Sequence, residues 1–133
     1  MLIADDDQAM LKAEFALLTP YFDVVGTAAD GAALVSKSRS LDPDVVVTDI
    51  SMPILNGIDA LLKLRESGSN AIFVFLTVHS EEVFVEACMK AGALGYVQKS
   101  CMKRHLVHAI QAALAGQPYV SLFNSNRPRN PAE

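Results

Sequence analysis

The chain has 133 residues, 51% of them hydrophobic and 20% charged, with no tryptophan and a formal net charge of −4. That length suits one domain with a substantial core and is short for two. The basic residues are scattered, with only Lys103 and Arg104 adjacent and Arg127 and Arg129 near the end, so no basic face for a nucleic-acid backbone is predicted. Cys88 and Cys101 form neither a C-x-x-C motif nor a disulfide framework and are read as reduced thiols. With no apolar run of membrane-spanning length and no signal-peptide pattern, the expected location is the cytoplasm, away from the membrane.

Met1 to Ala4 is a short apolar run that stops at three aspartates, and Gln8 to Leu18 carries apolar residues at helical spacing up to Pro20. Phe22 to Ala28 reads as a second strand, broken by Asp30-Gly31, and Ala32 to Leu41 as a second helix. Val45-Val46-Val47-Thr48 is a continuous β-branched run, the pattern of a strand buried on both faces, and it ends at Asp49. After a loop with Pro53 and Asn56-Gly57, Ile58 to Glu66 form a third helix closed by Ser67-Gly68. Strand Ala71 to Leu76, helix Glu81 to Ala91, strand Gly95 to Gln98 and helix Met102 to Ala115 complete the alternation, the helices closing at Gly92 and Gly116.

Five strands alternating with five helices predict an α/β fold, a doubly wound five-stranded parallel sheet of flavodoxin-like type, because parallel neighbours need crossover connections and these are right-handed. Ligands of such sheets sit at the carboxyl ends of the strands, near the switch point in strand order. Asp5 and Asp6 follow the first strand, Asp49 ends the third, Thr77 the fourth, and Lys99 follows the fifth. Carboxylates converging on one rim repel unless a cation compensates. A hard divalent ion such as Mg²⁺, held by one or two carboxylates and a carbonyl, meets that need. Asp49 could then act as a nucleophile toward phosphorus, with Lys99 neutralising charge and Thr77 donating its hydroxyl hydrogen bond.

The stretches Ile3-Ala4-Asp5-Asp6, Val47-Thr48-Asp49-Ile50-Ser51-Met52-Pro53 with Asn56-Gly57, Phe75-Leu76-Thr77, and Ala91 to Lys99 resemble, in order, the signature of response regulator receiver domains of two-component systems. The resemblance covers residues 1–116. It implies that Asp49 is phosphorylated by a sensor histidine kinase, and that Asp5, Asp6, Asp49 and the Ser51 carbonyl hold Mg²⁺. It further implies that Lys99 contacts the phosphoryl group and that Thr77 and Tyr96 form a switch pair. Thr77 would move toward the phosphoryl group and Tyr96 would rotate into the vacated space, changing the surface of the fourth helix, fifth strand and fifth helix. A receiver of this kind catalyses its own phosphorylation and dephosphorylation without being a conventional enzyme.

Many receivers carry proline after the lysine, where this chain has Ser100. Lys99-Ser100, Leu76-Thr77-Val78-His79 and Ala113 to Ser121 look like the LuxR/NarL type, in which a linker and a helix-turn-helix DNA-binding domain follow. DNA contact is therefore expected only through an output domain not present in these 133 residues, and residues 117–133 are expected to be a linker or disordered tail. Homodimerisation through the fourth or fifth helix region is a further implication.

Each residue also has a plainer explanation. Asp5 to Asp7 would cap the first helix without any metal, Asp49 would cap a loop, and Lys99 would be a surface lysine; it is the conjunction at four strand ends that points to a site. Asp5 and Asp6, rather than Asp7, are assigned as ligands because Ile3-Ala4 sets them directly against the strand. His105 and His108 lack a third ligand and read as a solvated helix face, whereas His79, two residues past Thr77, stands where it would govern water access to the phosphoryl group. A dehalogenase-type phosphatase would want an aspartate at Ser51, and a nucleotide module a glycine-rich loop after the first strand. A stand-alone or degenerate receiver serving as an interaction module remains the alternative reading.

Overall fold

The computed structural model describes residues 1–123. The strands are β1 (Leu2–Ala4), β2 (Gly26–Ala28), β3 (Val45–Thr48), β4 (Ile72–Thr77), β5 (Gly95–Gln98) and β6 (Tyr119–Ser121). The helices are α1 (Gln8–Leu18), α2 (Gly31–Leu41), α3 (Gly57–Glu66), α4 (Glu82–Ala91) and α5 (Met102–Leu114), the last entered through a 3-10 turn at Lys99–Cys101. All strands are parallel, in the order β2-β1-β3-β4-β5-β6. The predicted doubly wound parallel sheet with five helices is therefore present, but the sheet has six strands rather than five.

The sixth strand lies where the sequence reads as linker. Three residues after a proline carry little pattern of their own; pairing with β5 makes the strand. Tyr96 aligns with Val120, and the Tyr119 amide donates to the Leu94 carbonyl at 2.9 Å. The remainder of the expected tail, 124–133, lies outside the described residues. The second strand is shorter than the expected Phe22 to Ala28. The Tyr21 and Phe22 amides donate back to the Leu18 carbonyl and close a turn after α1, and only Gly26–Ala28 reach the sheet edge. Phe22 and Val24 pack their apolar surface on the core instead.

Strand residues alternate between two cores, as a period of two requires. Leu2, Ala4, Val46, Phe73, Phe75 and Tyr96 face one core, shared with α2, α3 and α4. Ile3, Val45, Val47, Val74, Leu76 and Val97 face the other, shared with α1 and α5. Because both faces are covered, β3 reads as an unbroken apolar run, while α1 needs only one stripe.

Helix starts follow the side chains before them. The Asp7 carboxylate accepts from the Ala9 amide at 2.9 Å and the Met10 amide at 3.3 Å, capping α1. Asp30 accepts from the Ala33 amide at 2.7 Å, and Asn56 from the Asp59 amide at 2.8 Å. Such caps stabilise a helix by about 1 kcal/mol each. Asp7 is thereby assigned to the cap, leaving Asp5 and Asp6 for the rim.

Candidate phosphoacceptor site

The chain leaves β1 for one side of the sheet and returns as β3 on the other, which opens the crevice at the carboxyl ends of β1 and β3. Asp5 enters it at the end of β1, anchored by its amide on the Ala28 carbonyl at 3.0 Å. Asp49 enters at the end of β3, with its amide on the Ala4 carbonyl at 3.1 Å. Lys99 reaches in from the end of β5, placing Nζ 2.7 Å from Asp5 Oδ2 and 2.8 Å from Asp49 Oδ2. The remaining oxygens are also occupied: Asp5 Oδ1 accepts from the Asp7 amide at 2.9 Å, and Asp49 Oδ1 from the Ile50 amide at 2.7 Å.

Asp5 and Asp49 are buried and Asp6 is exposed, and one carboxylate oxygen from each lies within 4.8 Å of the others. An all-oxygen donor set with one open, solvent-facing member fits a hard divalent cation. Desolvation raises the Asp5 carboxyl above its ordinary pKa, against the opposing effect of Lys99 and the Asp7 amide. Burial works against the Lys99 ammonium, but its bonds to Asp49 and Asp5 outweigh this and hold its pKa above the ordinary lysine value. Lys99 is thus a fixed charge bridging two carboxylates, and the serine after it does not prevent that reach.

One close approach shapes the backbone at Asp49. A Cβ on Gly57 would stand 2.0 Å from the Asp49 carbonyl oxygen, and the Gly57 amide donates to the Ile50 carbonyl at 2.8 Å. Only glycine lets α3 begin this close to the residue after β3.

Beyond Asp49, Thr77 is buried at the end of β4, and its Oγ1 accepts a long 3.4 Å bond from the His79 amide. Ser51 Oγ and His79 Nε2 stand 3.0 Å apart across the mouth of the site. The His79 ring stacks on Phe84, with centroids 4.2 Å apart. Tyr96 is fully buried and its hydroxyl donates to the His79 carbonyl at 2.8 Å; desolvation pushes that phenol well above its ordinary pKa. The ring that the receiver resemblance has rotating inward occupies the inward position here.

The structure therefore brings Asp5, Asp6, Asp49 and Lys99 together, with Thr77, Ser51 and Tyr96 linked to one another through His79. His105 is not on a solvated face: its Nδ1 lies 2.8 Å from the Tyr119 hydroxyl, against β6. Two residues were not anticipated from sequence. Gln98 joins the loop after β4 to Phe123, two residues past β6, through its side-chain amide. Glu14 is buried on α1 between Leu11 and Leu18, and both its oxygens lack a partner among the described residues. Desolvation first, and the nearby Asp5 second, push its carboxyl up to about 8. A glutamate in an i, i+3, i+7 stripe with two leucines is the signal that would have found it.

Residues 1–111 match the family model described as response regulator receiver domain. The chain is similar to the nitrate/nitrite response regulator protein NarL of Escherichia coli K12, at 34% identity over 119 residues, covering 87% of this chain and 55% of that protein. It thus spans about half the length of that relative. Among solved structures, a LuxR-family two-component response regulator from Aurantimonas sp. SI85-9A1 superposes with a TM-score of 0.84 at 32% identity, covering 91% of this chain and 86% of that one. The CheX-CheY-BeF3-Mg complex from Borrelia burgdorferi superposes with a TM-score of 0.80 at 28% identity, covering 85% of this chain and 87% of that one. Among the described residues no helix is long and apolar enough to cross a membrane. With the acidic crevice at the switch point, the bridging lysine and these matches together, the chain belongs to the response regulator receiver domains of the NarL/LuxR type, the phosphorylation-based signalling switches.

Proposed function

We propose that Asp49 is the phosphoacceptor, taking a phosphoryl group from the phosphohistidine of a sensor kinase in a Mg²⁺-dependent reaction. The observation that carries this reading is the placement of Asp49 at the switch point, with Lys99 bridging it to Asp5. An Asp49 oxygen attacks phosphorus as the P–N bond to the kinase imidazole breaks, and the imidazole leaves with the electron pair. Lys99 already sits on an Asp49 oxygen and is placed to neutralise charge on the incoming group. Asp5, Asp6 and Asp49, with the Ser51 carbonyl, would hold Mg²⁺, which when bound offsets the charge of the acceptor and the phosphoryl oxygens. Water later cleaves the O–P bond, regenerating the carboxylate and releasing phosphate. The domain in this sense catalyses its own phosphorylation and dephosphorylation.

Thr77 redirects its hydroxyl to the phosphoryl oxygens, giving up the long bond from the His79 amide. Because Tyr96 holds the same residue through its carbonyl, the two switch residues are joined through His79. The resulting change in the face formed by α4, β5 and α5 carries the output, to a second copy of the chain and to a DNA-binding domain in the full-length regulator.

The test is intact mass of the purified chain incubated with Mg²⁺ and acetyl phosphate or beryllofluoride, beside Asp49→Ala. A magnesium-dependent adduct absent from the variant is expected. No adduct with either donor would leave the degenerate, interaction-only receiver as the better reading.

A further inference from the structure

Gln98 is the last residue of β5 and directly precedes Lys99. Its side-chain Nε2 donates to the Val78 carbonyl at 3.3 Å, and its Oε1 accepts from the Phe123 amide at 2.8 Å. The orientation of the amide is fixed by these partners, since a carbonyl only accepts and a backbone amide only donates. Val78 lies between Thr77 and His79, the segment that the phosphoryl group would pull. Phe123 lies two residues past the end of β6. One side chain thus joins the switch segment to the exit from the sixth strand.

We infer that Gln98 is a coupling clamp through which the state of Asp49 governs the anchoring of the chain as it leaves β6. The inference rests on the phosphoacceptor reading and deepens it by naming where the signal crosses to the following segment. When Thr77 turns toward a phosphoryl group, the carbonyl of Val78 moves with it. The bond from Gln98 to Val78 is the longer of the two and yields first. Once released, the side chain no longer holds Oε1 opposite the Phe123 amide, and the segment after β6 loosens. Coupling is reciprocal, so whatever docks or frees that segment also biases the switch.

The route is distinct from the contact made by Tyr96. Tyr96 acts through its hydroxyl on the carbonyl of His79, whereas the clamp acts one residue earlier, on Val78, and emerges at the opposite side of β5. The backbone pairing of β6 with β5 is separate from the side-chain clamp, so replacing Gln98 does not remove the strand.

Two variants separate the parts of the clamp. Gln98→Glu keeps an acceptor for the Phe123 amide but has no donor for Val78. Gln98→Leu keeps neither. The measurement is amide hydrogen exchange at Phe123 by NMR on the full chain, with and without beryllofluoride and Mg²⁺, with adduct formation at Asp49 checked by intact mass in each sample. In the unmodified chain the adduct is expected to speed Phe123 exchange at least about five-fold, the lower end of ordinary coupling between sites. Gln98→Glu, which has lost the Val78 bond that holds the side chain in place, should exchange fast in both states and lose the response, as should Gln98→Leu. An unchanged Phe123 amide beside a confirmed adduct overturns the clamp and leaves the phosphoacceptor reading intact, as does a full response in Gln98→Glu. If no adduct forms, the phosphoacceptor reading fails, and slow exchange in Gln98→Leu alone would still overturn the clamp as a structural element.

Discussion

Replacing Glu14 with leucine is expected to stabilise the domain, and to do so far more at pH 8 than at pH 5. The carboxyl is buried, has no hydrogen-bond partner among the described residues, and has its pKa pushed from the ordinary 4.5 up to about 8. Across that window the folded chain binds more protons than the unfolded one, so Glu14 costs stability progressively as pH rises. The cost from this linkage is about 1 kcal/mol at pH 5 and about 4 kcal/mol at pH 8, at about 1.4 kcal/mol per pKa unit. Leucine removes it at every pH and continues the apolar stripe formed by Leu11 and Leu18. Urea unfolding of both chains at pH 5 and pH 8 measures the difference, and a Glu14→Gln variant separates charge from polarity by keeping the shape without the titration. The stabilisation should grow by about 3 kcal/mol between the two pH values. Equal stabilisation at pH 5 and pH 8 would show that Glu14 titrates normally and refute the reasoning. The charges facing it from neighbouring elements are Asp5, Asp49 and Lys99, so Asp49→Asn in the same background shows how much of the growth passes through the site.

Lys99→Met should lose about 3 kcal/mol at pH 7, because Asp5 and Asp49 are left buried without their shared cation. The loss should shrink as pH falls, since Asp5, whose carboxyl already lies above its ordinary pKa through desolvation, then takes up a proton in the folded state, and a pH-independent urea midpoint difference would contradict the bridge. Gly57→Ala should destabilise by about 3 kcal/mol in thermal unfolding, because its Cβ would meet the Asp49 carbonyl at 2.0 Å; a neutral substitution would mean that α3 shifts freely away from the acceptor. His79→Ala removes the ring held 3.0 Å from Ser51 at the mouth of the site and should change the dephosphorylation rate of the Asp49 adduct several-fold, followed by loss of the added mass. An unchanged rate would remove His79 from control of water access.

The main architecture was legible because buried parallel strands leave a strong signature. Val45 to Val47 could only be a strand covered on both faces, and the glycines at positions 92 and 116 marked helix ends. The acidic and basic candidates for the site were legible because the strand ends named them before any contact was known. What sequence did not show was set by partners far along the chain. Tyr119–Ser121 has no strand pattern of its own and is held by β5 and by His105. Asp5, Asp6 and Asp7 look alike as letters; only the local geometry separates a helix cap from a buried rim carboxylate and an exposed one. Gln98 read as the end of a strand, since a side chain that bonds 20 and 25 residues away leaves no local trace.

The sixth strand also bears on how this domain can be handled as a separate piece. Ending it at residue 116, where the family resemblance stops, would strip Tyr119–Ser121 from β5 and turn an interior strand into a bare edge. That edge carries Tyr96 and Val97, an aromatic and β-branched pair with no proline or lysine before Lys99 to deter pairing. Unpaired edges of this kind invite a second chain to add its own strand. A truncated preparation would be expected to self-associate for reasons unrelated to signalling, so any dimer measured on it would report the cut rather than the switch.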